Sequence, residues 1–462
     1  MLASLLLTFA LPAVAPQETP RDPVGRVVVY RFDTVETMDG ETLSNVTMLV
    51  RNGVIERMGQ AVVIPDHAEV HDYRGSGKVA MPPFALSHAN FLVSDRRGNG
   101  RNTRYTAADS MWLKEDWSED LLEEGVLIVG VDPPGSGLPG RTSVLMADDQ
   151  TGAPNALVSD LHLKVMVSTS SSAKRLVRDG FKAADKAIAD EDKARAAWKK
   201  AREEWEAKQK EEAEAKKKAS EGKDGAEGKE VKKGAEDKGG KGGTAAQDEG
   251  GDNKEDKGPP EEFEVPKMDS NVEPLVEWVR QERVGQVWLG SASDWLHWQD
   301  LLRERELAYE IVLRHGSTQN LFEVASAIAA TDLRVDVPAR LSFLPYTRVR
   351  ANLAAELVAQ GVTKLILSPS SDSLTGLRNY RLSVSQVVAE GLDRNVALRG
   401  MTVEPALSMG QEEVIGALKI GAPATFVIWS GDPLDPMSEV DFVLSEGKVV
   451  YDREKAEAED QS

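Results

Sequence analysis

The sequence predicts a mixed α/β fold joined to a β domain drawn from both ends of the chain, and three observations carry that reading. After Pro82-Pro83, short apolar strand-like runs alternate with segments of helical period. Before Pro82 and again after about residue 424, the pattern is instead short β segments separated by turn dipeptides. The chain of 462 residues, 41% hydrophobic, is also long enough to bury a large core.

At the N-terminal side, Val27-Val28-Val29-Tyr30, Val46 to Val50 and Val54 to Met58 read as strands, with Asp39-Gly40 and Asn52-Gly53 as tight turns. In the middle, the strand candidates are 126–131, 161–167, 286–289, 311–313, 333–337 and 364–367. Amphipathic helices fall between them at 321–330, opened by Ser317 and Thr318, and at 349–359, closed by Gly361. Apolar strands buried on both faces and alternating with helices indicate parallel pairing. At the C-terminal side, Ala424 to Trp429, Phe442-Val443-Leu444 and Lys448 to Tyr451 restore the β rhythm. The expected division is 24–80 plus 402–454 for the β domain and 81–401 for the α/β body, interrupted by a charged insertion at 183–262.

That insertion carries 19 basic and 23 acidic residues, so it is almost self-neutral. Its first half, with Trp198 and Trp205 seven apart, predicts a solvated helix whose Trp stripe lies on the body. The half from Glu221 to Pro260 has the composition of a disordered segment. Of the formal net charge of −20, −16 therefore belongs to the rest of the chain, an acidic balance that argues against binding nucleic acid through its phosphates. Cysteine is absent, which leaves His, carboxylate or modified Lys to hold any metal. The run Leu5 to Leu11 followed by Ala13-Val14-Ala15 reads as a signal peptide over residues 1–15, hence an exported protein, and no other window is apolar enough to span a membrane.

Gly135-Ser136-Gly137-Leu138-Pro139-Gly140 spells a dinucleotide fingerprint, but Pro139 interrupts it and Arg141 to Met146 reads as a strand instead of a helix. A pyrophosphate needs the helix N-terminus, so the segment is read as a flexible turn. Neither a phosphate-binding P-loop nor a Gly-x-Ser-x-Gly elbow is present. Among the six histidines, His67 and His71 are read as surface residues of the β domain and His297 as packed beside Trp295 and Trp298.

His88 stands out through its surroundings. Val79-Ala80-Met81-Pro82-Pro83-Phe84-Ala85-Leu86-Ser87-His88-Ala89-Asn90 resembles the entry into the barrel of the amidohydrolase superfamily, imidazolonepropionase-like metal-dependent hydrolases. Ile415 to Ala424, Trp429-Ser430-Gly431-Asp432-Pro433-Leu434 and Glu446 to Tyr451 look like that family's return into its β domain. The resemblance implies a TIM-like (β/α)8 barrel with a composite β-sandwich domain, and hydrolysis of a non-peptide or cyclic C–N bond by metal-activated water.

The same comparison implies metal ligands at His88 and His315 and a general base at Asp372, with a divalent metal, zinc or similar, as cofactor. His315 reads more readily as a packed histidine at the barrel mouth, and Asp372 can equally cap the following helix. Lys164 is a remote candidate for a carboxylated lysine. Asn90 stands where the family has a second histidine, and Gly290-Ser291-Ala292-Ser293 where another ligand would follow. A ligand set this short favours a pseudoenzyme without metal that binds a small amide-like ligand or a homologous amidohydrolase subunit. The alternatives are an active exported hydrolase with a reduced mononuclear site, and a structural or partner-binding protein acting through the insertion.

Overall fold

A computed structural model describes residues 26–93, 100–113, 116–148, 156–221, 259–303, 305–314, 320–344 and 347–460. The expected signal peptide, nearly all of the low-complexity half of the insertion, and the expected ligand His315 with Ser317 and Thr318 lie outside the described residues.

The first strands are β1 (Val27–Glu36), β2 (Thr42–Arg51), β3 (Val54–Gly59), β4 (Glu69–Asp72) and β5 (Val79–Met81). The body follows with β6 (Phe84–Ala89), β7 (Gly100–Arg101), β8 (Val126–Val131), β9 (Gly137–Arg141), β10 (Ser143–Met146) and β11 (Leu163–Met166). It continues with β12 (Gly285–Leu289), β13 (Tyr309–Leu313), β14 (Val335–Pro338), the short pair β15 (Ser342–Phe343) and β16 (Arg350–Ala351), and β17 (Leu365–Ser368). The chain then returns through β18 (Phe426–Trp429), β19 (Val440–Ser445) and β20 (Lys448–Asp452).

Strands from both ends share one eight-stranded sheet ordered β20-β19-β18-β5-β1-β2-β3, with β4 also on β1. The sheet bends back on itself, since Val54 in β3 bridges Pro423 just before β18 and Tyr30 of β1 meets Phe426 of β18 edge-on. β1 is long enough to serve two parallel partners, β4 along its first half and β5 along its second. Phe32, Met48, Ile55 and Phe426 fill one face of this sheet, and Trp429 turns inward to pack on Phe84 at 5.3 Å between ring centroids.

In the body, β11, β12, β13, β14 and β17 are parallel neighbours, and β6 is parallel to β8. Their burial is complete or nearly so, because helices cover one face and the interior the other. The segment read as a flexible turn is strand β9. It pairs antiparallel with β11, and after Thr142 the chain goes on as β10, antiparallel to β8. Glycine explains the misreading: Gly137 and Gly140 have positive φ, and a Cβ at Gly140 would lie 2.8 Å from the Tyr105 carbonyl oxygen, so close backbone approach selects glycine here without any phosphate.

Short polar caps start the covering helices. Ser291 accepts from the Asp294 N–H at the head of Ala292–Leu302, and Asn352 accepts from the Ala355 N–H at the head of Leu353–Ala359. The helix read from residue 183 starts earlier, as Ser171–Glu221, and its first turns bury Val177, Phe181 and Ala184 against the body. Trp198 lies on the returning chain, with its indole N–H donating to the Pro260 carbonyl at 3.0 Å and its ring meeting Phe263, instead of lying on the body. Among the described residues, no helix is long and apolar enough to cross a membrane.

β6 and β8 approach so closely at Gly130 that a Cβ there would sit 2.2 Å from the Ser87 carbonyl oxygen. Backbone cannot yield as a flexible side chain can, so Gly130→Ala is expected to destabilise the protein by about 1–3 kcal/mol or more. The urea midpoint of the purified variant checks this; a midpoint equal to that of the unmutated protein would contradict it.

Candidate metal centre

Three acidic or imidazole side chains meet at the C-terminal ends of the body strands. His88 is the penultimate residue of β6, Asp132 directly follows β8, and Asp372 lies four residues past β17. One ligand-capable atom from each lies within 4.8 Å of the other two. That separation suits three donors arranged around one ion.

The neighbours make this a crowded electrostatic site. Lys164 reaches up from β11 to donate to the Asp132 carboxylate and, at 3.1 Å, to the Pro133 carbonyl. Its Nζ also lies 4.2 Å from the centre of the Trp288 ring, which meets the His88 ring edge-on at 4.7 Å. Asp336 in β14 stands 3.5 Å from His88 Nε2 and accepts the Ser87 hydroxyl. Both oxygens of Asp372 accept the Asn90 backbone N–H, at 3.0 and 3.1 Å. Asn90 therefore serves through its main chain, in the place where the sequence resemblance put a second histidine.

Burial alone disfavours the His88 imidazolium, but Asp336, through its charge and a hydrogen bond, and then Asp132 and Asp372 outweigh it and raise the His88 pKa. The same exchange, with help from Ser87, holds the Asp336 carboxyl below its ordinary value in spite of its burial. Asp372 goes the other way: burial first, and then the charge of Asp132, push it up to about 6. Even with His88 protonated, as its raised pKa favours, the three buried carboxylates outnumber the imidazolium and the Lys164 ammonium, and a divalent cation that replaces the imidazole proton fits this excess of negative charge. Asp132 is fully buried, and its Oδ1 has no hydrogen-bond partner among the described residues. A carboxylate oxygen in that condition is a natural cation ligand.

The structure thus brings together His88 and Asp372 of the expected set, while His315 is not among the described residues. The capping role open to Asp372 belongs to Ser373, whose hydroxyl accepts from the Gly376 N–H. Sequence reasoning missed Asp132 and Asp336. Their available signals were an acid directly after a fully apolar strand and a single acid inside one. Gly290-Ser291 contributes no ligand; Ser291 is a helix cap. His162 is buried at the opposite end of the strands, with its pKa lowered by burial, and takes no part.

Above Asp372 opens a cavity of about 410 Å³ walled by Phe91, Val93, Trp112, Trp117 and Leu374, with Asp120 at one side. Trp112 is 73% exposed at its rim. A mostly apolar wall over a small polar floor is the usual build of a small-molecule site.

No family model matches the chain, and no curated protein matches it by sequence. Among solved structures, the amidohydrolase from Thermotoga maritima MSB8 superposes with a TM-score of 0.64 at 20% identity, over 92% of this chain and all of that one. Molinate hydrolase aligns over 92% of this chain and 94% of its own, with a TM-score of 0.49 at 13% identity. The β-aspartyl dipeptidase of Fervidobacterium islandicum AW-1 aligns over 93% and 97%, with a TM-score of 0.47 at 12% identity. Of these three, the Thermotoga comparison bears on architecture, and it shows that the chain shares the fold of that amidohydrolase.

A native carboxyl with its pKa near 6 binds its proton more tightly than the unfolded chain does, so its contribution to stability is present below about pH 4 and lost as pH rises through about 6. In chelator-treated protein, Asp372→Asn should therefore melt higher than the unmutated chain at pH 7.5, and the gap should close towards pH 4. Thermal melts across that range test it; an equal melting temperature at pH 7.5 would refute the shift.

Proposed function

We propose that the chain is a metal-dependent hydrolase of the amidohydrolase type, acting on a C–N bond of a small amide-like substrate at a mononuclear centre. The observation that carries this reading is the buried convergence of His88, Asp132 and Asp372. Asp132 supplies the third ligand that the sequence lacked, and three protein ligands are what a catalytic site with one open position requires. We also propose that eight body strands, leaving out the two-residue β7, β15 and β16 and counting 137–146 as one, close into a barrel between β17 and β6, with the ligands at the end where barrel enzymes keep their chemistry.

A divalent ion held there would acidify a water and polarise the scissile carbonyl. His88, oriented by Asp336, would be the imidazole ligand, and Asp132 and Asp372 would each supply one carboxylate oxygen. Asp372 is the member of the three that also lines the cavity, so its second carboxylate oxygen is placed to accept a proton from water and pass it to the departing amine. The apolar wall would seat the substrate's hydrocarbon part and exclude water around the reacting bond.

A second reading, an exported pseudoenzyme working beside an active homologue, is favoured by one observation: the Lys164 ammonium already supplies positive charge to Asp132. Metal content separates the two. Protein purified without chelator and offered Zn²⁺ or Mn²⁺ is expected to hold about one equivalent, and His88→Ala and Asp132→Ala less than about 0.1, together with loss of amide-probe hydrolysis. Less than about 0.1 equivalent in the unmutated protein would leave the pseudoenzyme reading standing.

A further inference from the structure

Lys164 is 2% exposed, and every polar contact of its ammonium points towards the candidate metal centre. Asp132 takes its charge, the Pro133 carbonyl takes a second N–H at 3.1 Å, and the Trp288 face lies 4.2 Å away. These are three features that hold a cation: a carboxylate, a carbonyl dipole and the negative face of an indole. The ammonium is thus seated in its own small cation site, which shares Asp132 with the metal ligands. It is tethered by a side chain whose backbone is fixed by pairing with Gln286 on one side and Gly140 on the other. Adding a carboxyl group to this nitrogen would set a second anion against Asp132 and against the Trp288 ring face, so these surroundings oppose the modification considered from sequence.

We propose that Lys164 is a built-in competitor for the metal centre, a tethered cation that holds Asp132 when no metal is bound and weakens the affinity of the site for a divalent ion. This inference rests on the hydrolase reading above. Two positive species sharing one carboxylate in a dry interior repel each other strongly, so the metal either enters against the ammonium or displaces it. The ammonium would then set the metal concentration at which the site fills and keep Asp132 from standing as an unpaired charge while it is empty.

The test is the dissociation constant for Mn²⁺, measured by calorimetry on the full chain after chelation and dialysis. Lys164→Gln keeps a donor for Asp132 and removes the charge, so it should bind Mn²⁺ at least about tenfold more tightly than the unmutated protein, while Lys164→Arg, which keeps the charge, should stay within about threefold of it. Lys164→Met serves as a second neutral variant should Lys164→Gln fail to fold. Equal or weaker binding by the neutral variants, with binding by the unmutated protein intact, overturns the competitor role and leaves the hydrolase reading in place. Uptake by the neutral variants alone supports the competitor and overturns the hydrolase reading. No uptake by any of them overturns both.

Discussion

The interior of this protein is organised around an excess of buried negative charge. Asp132 follows β8 in a three-stranded sheet, Asp336 and Asp372 belong to β14 and the loop after β17 in the seven-stranded one, and all three are drawn to within reach of one imidazole and one ammonium. Isolated carboxylates are not tolerated in such a place, so each must be paired, protonated or bound to a cation. The structure uses different answers for different members. Asp336 is paired with His88 and the Ser87 hydroxyl, Asp132 with Lys164, and Asp372 with the Asn90 main chain and a raised proton affinity. The close approach of β6 and β8 at Gly130 serves this arrangement, since it fixes the strand that carries Ser87 and His88.

Much of the framework was legible because it depends on local pattern. Val126–Val131 is apolar throughout and Gly285–Leu289 is apolar except for Gln286, a composition that suits strands buried on both faces. The return of β rhythm at Phe426–Trp429 likewise marked the shared sheet, because a strand following the helical region needs an existing edge to pair with. The turn reading at residues 135–140 failed for a physical reason. Glycine serves a tight turn, a phosphate loop and close backbone packing equally well, and only the antiparallel pairing with β11 distinguishes them.

The site was less legible, and the missed residues show why. His88 was visible because Pro82-Pro83 and the strand around it gave it a context. Asp132 had only the apolar strand before it and Pro133-Pro134 after it, which reads as an ordinary turn. Its importance comes from Lys164, 32 positions away, and from His88, 44 positions away, and no local pattern reports such a meeting. Lys164 was noticed for a chemistry that its neighbours disfavour. Side-chain reach is set by strand register, here Lys164 opposite Gln286, and register follows from the assembled sheet.

The long excursion of the chain also bears on how this fold varies. β11 and β12 are adjacent parallel strands, a pair that a crossover of a dozen or so residues can join, yet residues 167–284 form the connection. Loop-closure entropy grows only with the logarithm of length, so this enlargement costs on the order of 2 kcal/mol at most. The helix packs on the body through Val177, Phe181 and Ala184, and further along the returning chain forms a clasp with it where Pro260 and Phe263 meet Trp198. Everything beyond that clasp can lengthen, shorten or change composition with little effect on the strands that carry Lys164 and Trp288, and evolution is free to rewrite it without touching the chemistry below.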